Sequence, residues 1–292
     1  MMMIFLQNPI SAIGYTLLML AILSIWIYPK IWVWSPLLAA SMAFAYYGNV
    51  IDIRAIIPLA LVGGCYSLAA QNIKGFWRLF TTMAAAIITV ALYTHYVKGF
   101  NNTLLFSNWR ASIDSQPINI YANYDKAVVA LLILGLYLPP LIRSKKELYN
   151  MLLKTIPWML LTALIILPLA GFLNMIHWNP KFPSITFTWL TLQIFFVLIP
   201  EELFYRGFLQ REISLRLNNP FAGPLAVLVT SLLFALLHLL FVPHLTFVLA
   251  SFVASILYGT IYQITGKIES PLLTHFFVNL CHFFFFTYPV LA

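Results

Sequence analysis

Apolar runs of membrane-spanning length recur ten times along the chain, at residues 10–28, 32–48, 55–71, 76–97, 126–142, 152–174, 185–211, 222–241, 245–263 and 271–289. A transmembrane helix needs about 20 consecutive, predominantly apolar residues, so each run predicts one span. Polar breaks divide them: Pro29-Lys30 separates the first two, and Asp52 to Arg54 the next pair. One polar stretch is long, Gly99 to Asp125, with Asn101, Asn102, Asp114 and Pro117. It reads as a solvated connector, a lid or a rest for a substrate. No internal repeat or low-complexity tract interrupts the pattern.

Composition turns the pattern into a class. Of 292 residues, 62% are hydrophobic and 8% charged, with a mean hydropathy of +0.91. Soluble domains carry about 25% charged residues. The expected fold is all-α, a polytopic bundle of about ten transmembrane helices embedded in a lipid bilayer. The net charge of +8 calls for no nucleic-acid partner, because Lys and Arg in membrane proteins sort to the cytoplasmic loops. Eleven of the sixteen fall in alternate connections: Lys30; Lys74 and Arg78; Arg143, Lys145, Lys146 and Lys154; Arg206, Arg211 and Arg216; and Lys267. Arg54, Lys98, Arg110, Lys126 and Lys181 occupy the others. The bias places the 143–154 loop in the cytoplasm and both termini outside. Cys65 and Cys281 lie inside apolar runs, so neither a disulfide framework nor a Cys-based metal site is expected. Met1 to Asn8 lack the basic residues of a cleavable signal, so the first run is expected to be retained.

The chemistry is unevenly spread. Residues 1–150 read as transmembrane helices of unassigned role, with almost no charge inside a span. The candidate groups lie from about 185 onward, in a C-terminal core over 151–292. Only eight residues are Asp or Glu, and two of them, Glu201 and Glu202, stand side by side within an apolar run. A charge at the bilayer centre costs about 2.5–3.5 kcal/mol on insertion scales, so such residues face a protein interior or a wet cavity. Arg206 follows Glu202 by four, on the same helical face and in the favoured order, so the two are expected to pair. Glu201 is rotated by about 100° from Glu202 and is the freer carboxylate. Pro200 lacks an N–H and can open the helix here.

Two later runs each carry a histidine, His238 four after Phe234 and His275 four before Asn279. Carboxylate, imidazoles and amide make sense if they converge. Glu201 would take a proton from water. An imidazole would hold that water or protonate a leaving amine, and Asn279 would donate to a developing oxyanion. Plainer readings stand beside these: Glu202 and Arg206 as a structural pair, the histidines bonded to backbone carbonyls, and Phe234 as packing. Tyr205 packs or bonds Glu201. His282 shares the general face of His275, while His95, His177 and His244 read as interfacial. Tyr258-Gly259 reads as a close helix-packing point.

Glu201-Glu202…Arg206, Phe234…His238 and His275…Asn279 together make the chain resemble the CPBP family, the CAAX-protease and bacteriocin-processing intramembrane endopeptidases. The match covers about 150–290. It implies a helical core with its site inside the membrane and hydrolysis of a peptide bond near a membrane-anchored or hydrophobic peptide terminus. Carried over, Glu201 is the base, His238 holds the water, and His275 with Asn279 binds the carbonyl oxygen. Glu202 and Arg206 complete the catalytic set. No cofactor is expected. A zinc-dependent version would use Glu201, His238 and His275 as three ligands with an open position, though no His-Glu-x-x-His pair is present. Other readings are a non-catalytic scaffold or immunity protein of the same fold, and a transporter with a proton relay, which would favour an inverted repeat. The expected location is a bacterial inner membrane.

Overall fold

The computed structural model describes residues 8–71, 73–217, 219–240, 242 and 244–292. Of the described residues 72% are helical, in ten helices. They are α1 (Pro9–Ile27), α2 (Ile31–Tyr47), α3 (Ile53–Ala70, opening on a 3-10 turn), α4 (Gly75–Tyr93), α5 (Tyr124–Leu132, continued by the π turn Ile133–Tyr137), α6 (Lys145–Phe172), α7 (Thr186–Arg216), α8 (Ala222–His238), α9 (Leu245–Thr265) and α10 (Glu269–Phe285). By length and composition α1, α3, α4, α6, α7 and α9 are able to cross a membrane, while α2 and α8 are shorter apolar helices. Large apolar side chains stay open to the outside along these helices, including Ile57 at 67% and Leu164 at 71% exposure. Such a surface suits lipid and not water. The protein is an integral, multi-pass membrane protein.

Contacts divide the chain into two compact units. The first takes residues up to Leu105, Ile120–Pro139 and Phe187–Phe204; the second takes Phe106–Asn119, Pro140–Thr186 and Tyr205–Ala292. Helix α7 contributes to both. In the first unit α1 packs on α2 through small residues. Ser41 Oγ donates to Gly14 O at 2.7 Å, and a Cβ on Gly48 would lie 2.8 Å from the Ser11 backbone. Tyr15, fully buried, donates its hydroxyl to Ala122 O at 2.9 Å. In the second unit α6, α9 and α10 share a core of Ala163, Ile166, Ala254, Tyr258 and Val278.

The polar stretch 99–125 departs from an irregular connector. It holds a two-stranded sheet, β1 (Thr103–Trp109) and β2 (Ile118–Ala122). At the tip, in the second unit, Gln116 N donates to Val290 O at 3.0 Å, and the C-terminal residues run back along 174–181, with Leu291 N donating to Met175 O at 2.8 Å. Two helix limits also differ from the hydropathy pattern. α6 begins at Lys145, seven residues before the predicted 152. Ser144 caps it by accepting from Glu147 N at 3.1 Å, and the Glu147 carboxylate accepts from Arg143 N at 2.7 Å. A cap is local polar chemistry and leaves no apolar signal. α4 stops at Tyr93, before the predicted 97, because His95 takes a left-handed φ of 60° and meets buried Asp125 at 2.7 Å.

Candidate functional site

In the first unit the carboxylate pair sits on a widened stretch of α7. The α-helical turn Ile199–Glu202 is flanked by π-helical turns, Gln193–Leu198 before it and Leu203–Gln210 after it. Pro200 explains the first of these. It offers no N–H to the turn before it, and its ring crowds the carbonyl four residues back, so the helix relaxes to a wider turn. π turns inside α-helices concentrate at functional sites. The backbone is anchored where it opens: Tyr93 Oη donates to Pro200 O at 3.0 Å, and the Tyr93 ring meets Phe204 edge-on at 5.6 Å. Glu202 is fully buried, whereas Glu201 is half-buried. Two adjacent carboxylates therefore have different surroundings.

In the second unit the residues from α7, α8, α9 and α10 come together around aromatic faces. Arg206 is fully buried. Its Nη2 donates to Ser255 Oγ at 2.7 Å and to Ser255 O at 3.1 Å. Its guanidinium carbon lies 5.1 Å from the Phe234 ring centre, 5.5 Å from Tyr258 and 5.8 Å from Tyr205. Desolvated cation–π contacts of this kind are worth about 2 kcal/mol or more. One turn on, Gln210 Nε2 donates to Gly259 O at 2.9 Å. The pairs 206–255 and 210–259 repeat at the same spacing, so α7 and α9 are buttoned together twice. Gly259 permits this approach: a Cβ there would lie 2.9 Å from Gln210 Oε1 and 3.1 Å from Val227. The packing point expected at Tyr258-Gly259 is realised by a hydrogen bond.

Both histidines pack on the same aromatic group. The His238 ring lies 4.2 Å from Phe234, tilted by 36°, and 6.0 Å from Phe247 on α9. His238 Nδ1 is 2.7 Å from the carbonyl oxygen of Phe234. That oxygen only accepts, so Nδ1 carries the hydrogen, and in the neutral ring Nε2 keeps its lone pair. The plain bond to a backbone carbonyl is thus also what fixes the tautomer. His275, 6% exposed, stacks on Tyr258 with centroids 4.4 Å apart and planes 20° from parallel. It meets Phe234 edge-on at 6.2 Å. Asn279 follows one turn later on the same face of α10, partly open.

Of the predicted residues, Arg206, Phe234, His238 and His275 are therefore brought together in the second unit, with Asn279 beside His275. Glu201 and Glu202 belong to the first. Among the described residues no three His, Cys, Asp or Glu side chains group as a metal would need. Ser255, Gln210 and Phe247 escaped the sequence reading, since a buried Ser or Gln in an apolar run signals only that some partner exists. His95 and His177 lie outside the spans, paired with Asp125 and Asp114.

Residues 183–281 match the family model described as Type II CAAX prenyl endopeptidase Rce1-like. The segment is of the Rce1-like family. That makes the chain an intramembrane endopeptidase, working in a lipid bilayer on a peptide substrate. The Rce1-like segment contains all of Glu201, Glu202, Arg206, Phe234, His238, His275 and Asn279. No curated protein and no solved structure matches the chain.

Proposed function

We propose that the chain hydrolyses a peptide bond near a membrane-anchored or hydrophobic peptide terminus by a glutamate-activated water. Glu201 is the base. A water donating one hydrogen to Glu201 and the other to His238 Nε2 turns its lone pair toward the scissile carbonyl. Attack forms the new C–O bond, and His275 with Asn279 holds the oxygen that gains charge. Collapse breaks the C–N bond, and the proton taken by Glu201 passes to the leaving amine. Glu202 pairs with Arg206, four residues on, and sets the helix that carries Glu201. The tautomer of His238 supports this reading best, because a ring with Nδ1 committed to Phe234 O offers an acceptor at Nε2 and not a second donor. In this reading residues 151–292 are the protease core, residues 1–150 are transmembrane helices of unassigned role, and no ion is a participant, since the carboxylate and the Asn279 amide supply the proton transfer and the oxyanion contact.

The test uses purified chain in nanodiscs with two probes, a fluorogenic prenylated CAAX-type peptide and a peptide with a hydrophobic C-terminal anchor. Cleavage of either that disappears in Glu201→Gln supports the proposal. A Glu201→Gln protein with wild-type turnover overturns it. Stoichiometric zinc in the active protein, with turnover lost on chelation and restored by zinc alone, replaces it by the three-ligand mechanism, in which ligands stand about 2.0–2.2 Å from the ion.

A further inference from the structure

We propose that Tyr258 is a positioning residue for His275, and that the carbonyl-oxygen contact depends on its aromatic ring. The inference rests on the role given to His275 above. A histidine side chain does not orient itself. Its terminal torsion joins sp³ and sp² carbons, where the energy wells are broad and roughly two-fold. The helix α10 thus fixes where the His275 Cβ stands and leaves the plane of the ring soft. A flat, immobile neighbour supplies the missing constraint, and Tyr258 is one: 4.4 Å between centroids, 20° between planes.

Tyr258 is itself held from three sides. It is 2% exposed. Its ring belongs to the core shared with Ala163 and Ile166 of α6 and Val278 of α10. Arg206 lies 5.5 Å from the ring centre, and that guanidinium is tied to Ser255, one turn before Tyr258 on α9. Gly259, the next residue, receives the bond from Gln210. The backbone nearest Tyr258 is therefore fastened on both sides, and the imidazole rests on a buried ring packed among α6, α9 and α10. An oxyanion donor displaced by about 1 Å loses on the order of 10²-fold in rate, so the platform carries part of the turnover without touching substrate.

The experiment places Tyr258→Leu and Tyr258→Phe in the native chain and in a His275→Ala background, with the prenylated CAAX-type peptide as probe. Tyr258→Leu is expected to lower kcat by about 10- to 100-fold with KM unchanged, Tyr258→Phe to restore most of that loss, and Tyr258→Leu to cost nothing more once His275 is gone. Equal losses in both backgrounds, or a Tyr258→Phe as slow as Tyr258→Leu, overturn the proposal while leaving the role of His275 standing. A His275→Ala protein with wild-type turnover removes that role, and the proposal falls with it. Carbon-13 spectra of the histidine-labelled full chain in nanodiscs read the same stack without a substrate. The His275 ring resonance should move in Tyr258→Leu, or in Tyr258→Met where leucine does not fold, and stay in place in Tyr258→Phe. A resonance indifferent to loss of the ring overturns the proposal directly.

Discussion

His238 Nδ1 lies 2.7 Å from the carbonyl oxygen of Phe234, one turn back on its own helix. This short bond decides which ring nitrogen is left for chemistry. Asparagine can reproduce the Nδ1 donor, and glutamine can bring an amide oxygen to where Nε2 stands. His238→Gln should therefore retain more turnover than His238→Asn. His238→Ala should lose about 10²–10⁴-fold, the usual weight of a group that handles a proton. Single-turnover cleavage of an anchored peptide makes the comparison. Asparagine outperforming glutamine would mean that the bond to Phe234 is the whole purpose of the ring.

Much of the fold was legible because the bilayer permits few solutions. Each of the ten apolar runs corresponds to a helix among the described residues, but only six of those helices are long and apolar enough to cross a membrane, so hydropathy located the helices better than it counted the spans. What hydropathy missed was polar and local. The Ser144 cap adds a charged turn to α6, and the left-handed His95 ends α4 early. The strands of 103–109 and 118–122 lie where a polar stretch gave no period strong enough to choose between strand and loop. The widened turns around Pro200 were legible only as a weakness in the helix. For the site, residue type and spacing singled out Glu201, Glu202, Arg206, His238, His275 and Asn279. Ser255 became visible only as the tertiary partner of Arg206, since no spacing rule links positions 49 apart.

Gly259 faces Gln210 and Val227 so closely that a Cβ there would force one of those side chains to shift. Alanine there would gain about 1 kcal/mol in helix propensity, which masks part of the clash, so valine is the sharper test. Gly259→Val should destabilise the chain by about 1–3 kcal/mol, the cost of overpacking a tight contact. Gln210→Ala in the same chain should recover part of it. Thermal unfolding in detergent measures both, and a Gly259→Val protein as stable as wild type would refute the close contact.

Outside the spans, Asp114 gives a pH dependence with a definite sign. Ser112 Oγ donates to its carboxylate at 2.6 Å, Asn179 Nδ2 at 3.2 Å, and His177 Nε2 lies 2.5 Å away. The Ser112 bond first, aided by the nearby His177 and Lys181, holds the Asp114 carboxyl below the usual carboxylate range. A group whose folded pKa is depressed stabilises the fold above its unfolded value, about 3.9, and that contribution is lost as pH falls through the folded value. Melting temperature should drop on acidification in the wild type and drop less steeply in Asp114→Asn. Parallel curves for the two proteins would contradict this.

The division of Lys and Arg predicts the 143–154 loop in the cytoplasm and the 99–125 segment outside. Lys145 and Asn108 are both exposed, so cysteines introduced there are open to a membrane-impermeant maleimide. Intact cells should label position 108, and position 145 should react only after permeabilisation. The reverse pattern would invert the orientation and put the positive charges on the side where membrane proteins carry fewer of them.

The adjacent carboxylates should fail in different ways. Glu201 is half-buried and Glu202 fully buried. In the proposed mechanism removing the charge of Glu201 costs the reaction its base, and Glu201 is only half-buried, so Glu201→Gln should abolish turnover while the melting temperature stays near wild type. If Glu202 pairs with Arg206 as proposed, Glu202→Gln should lower both, since leaving one member of a buried ion pair alone costs about 3–5 kcal/mol. Combining Glu202→Gln with Arg206→Met separates the two contributions. If Glu202 acts mainly through its pairing with Arg206, the double variant should regain much of the stability lost in the single one, because both charges are then gone from the interior. If Glu202 is itself the base, Glu202→Gln should be inert yet fully stable, and Glu201→Gln should still cleave. Turnover and melting measured on the same four preparations distinguish these outcomes, and the second would exchange the roles assigned to the two glutamates.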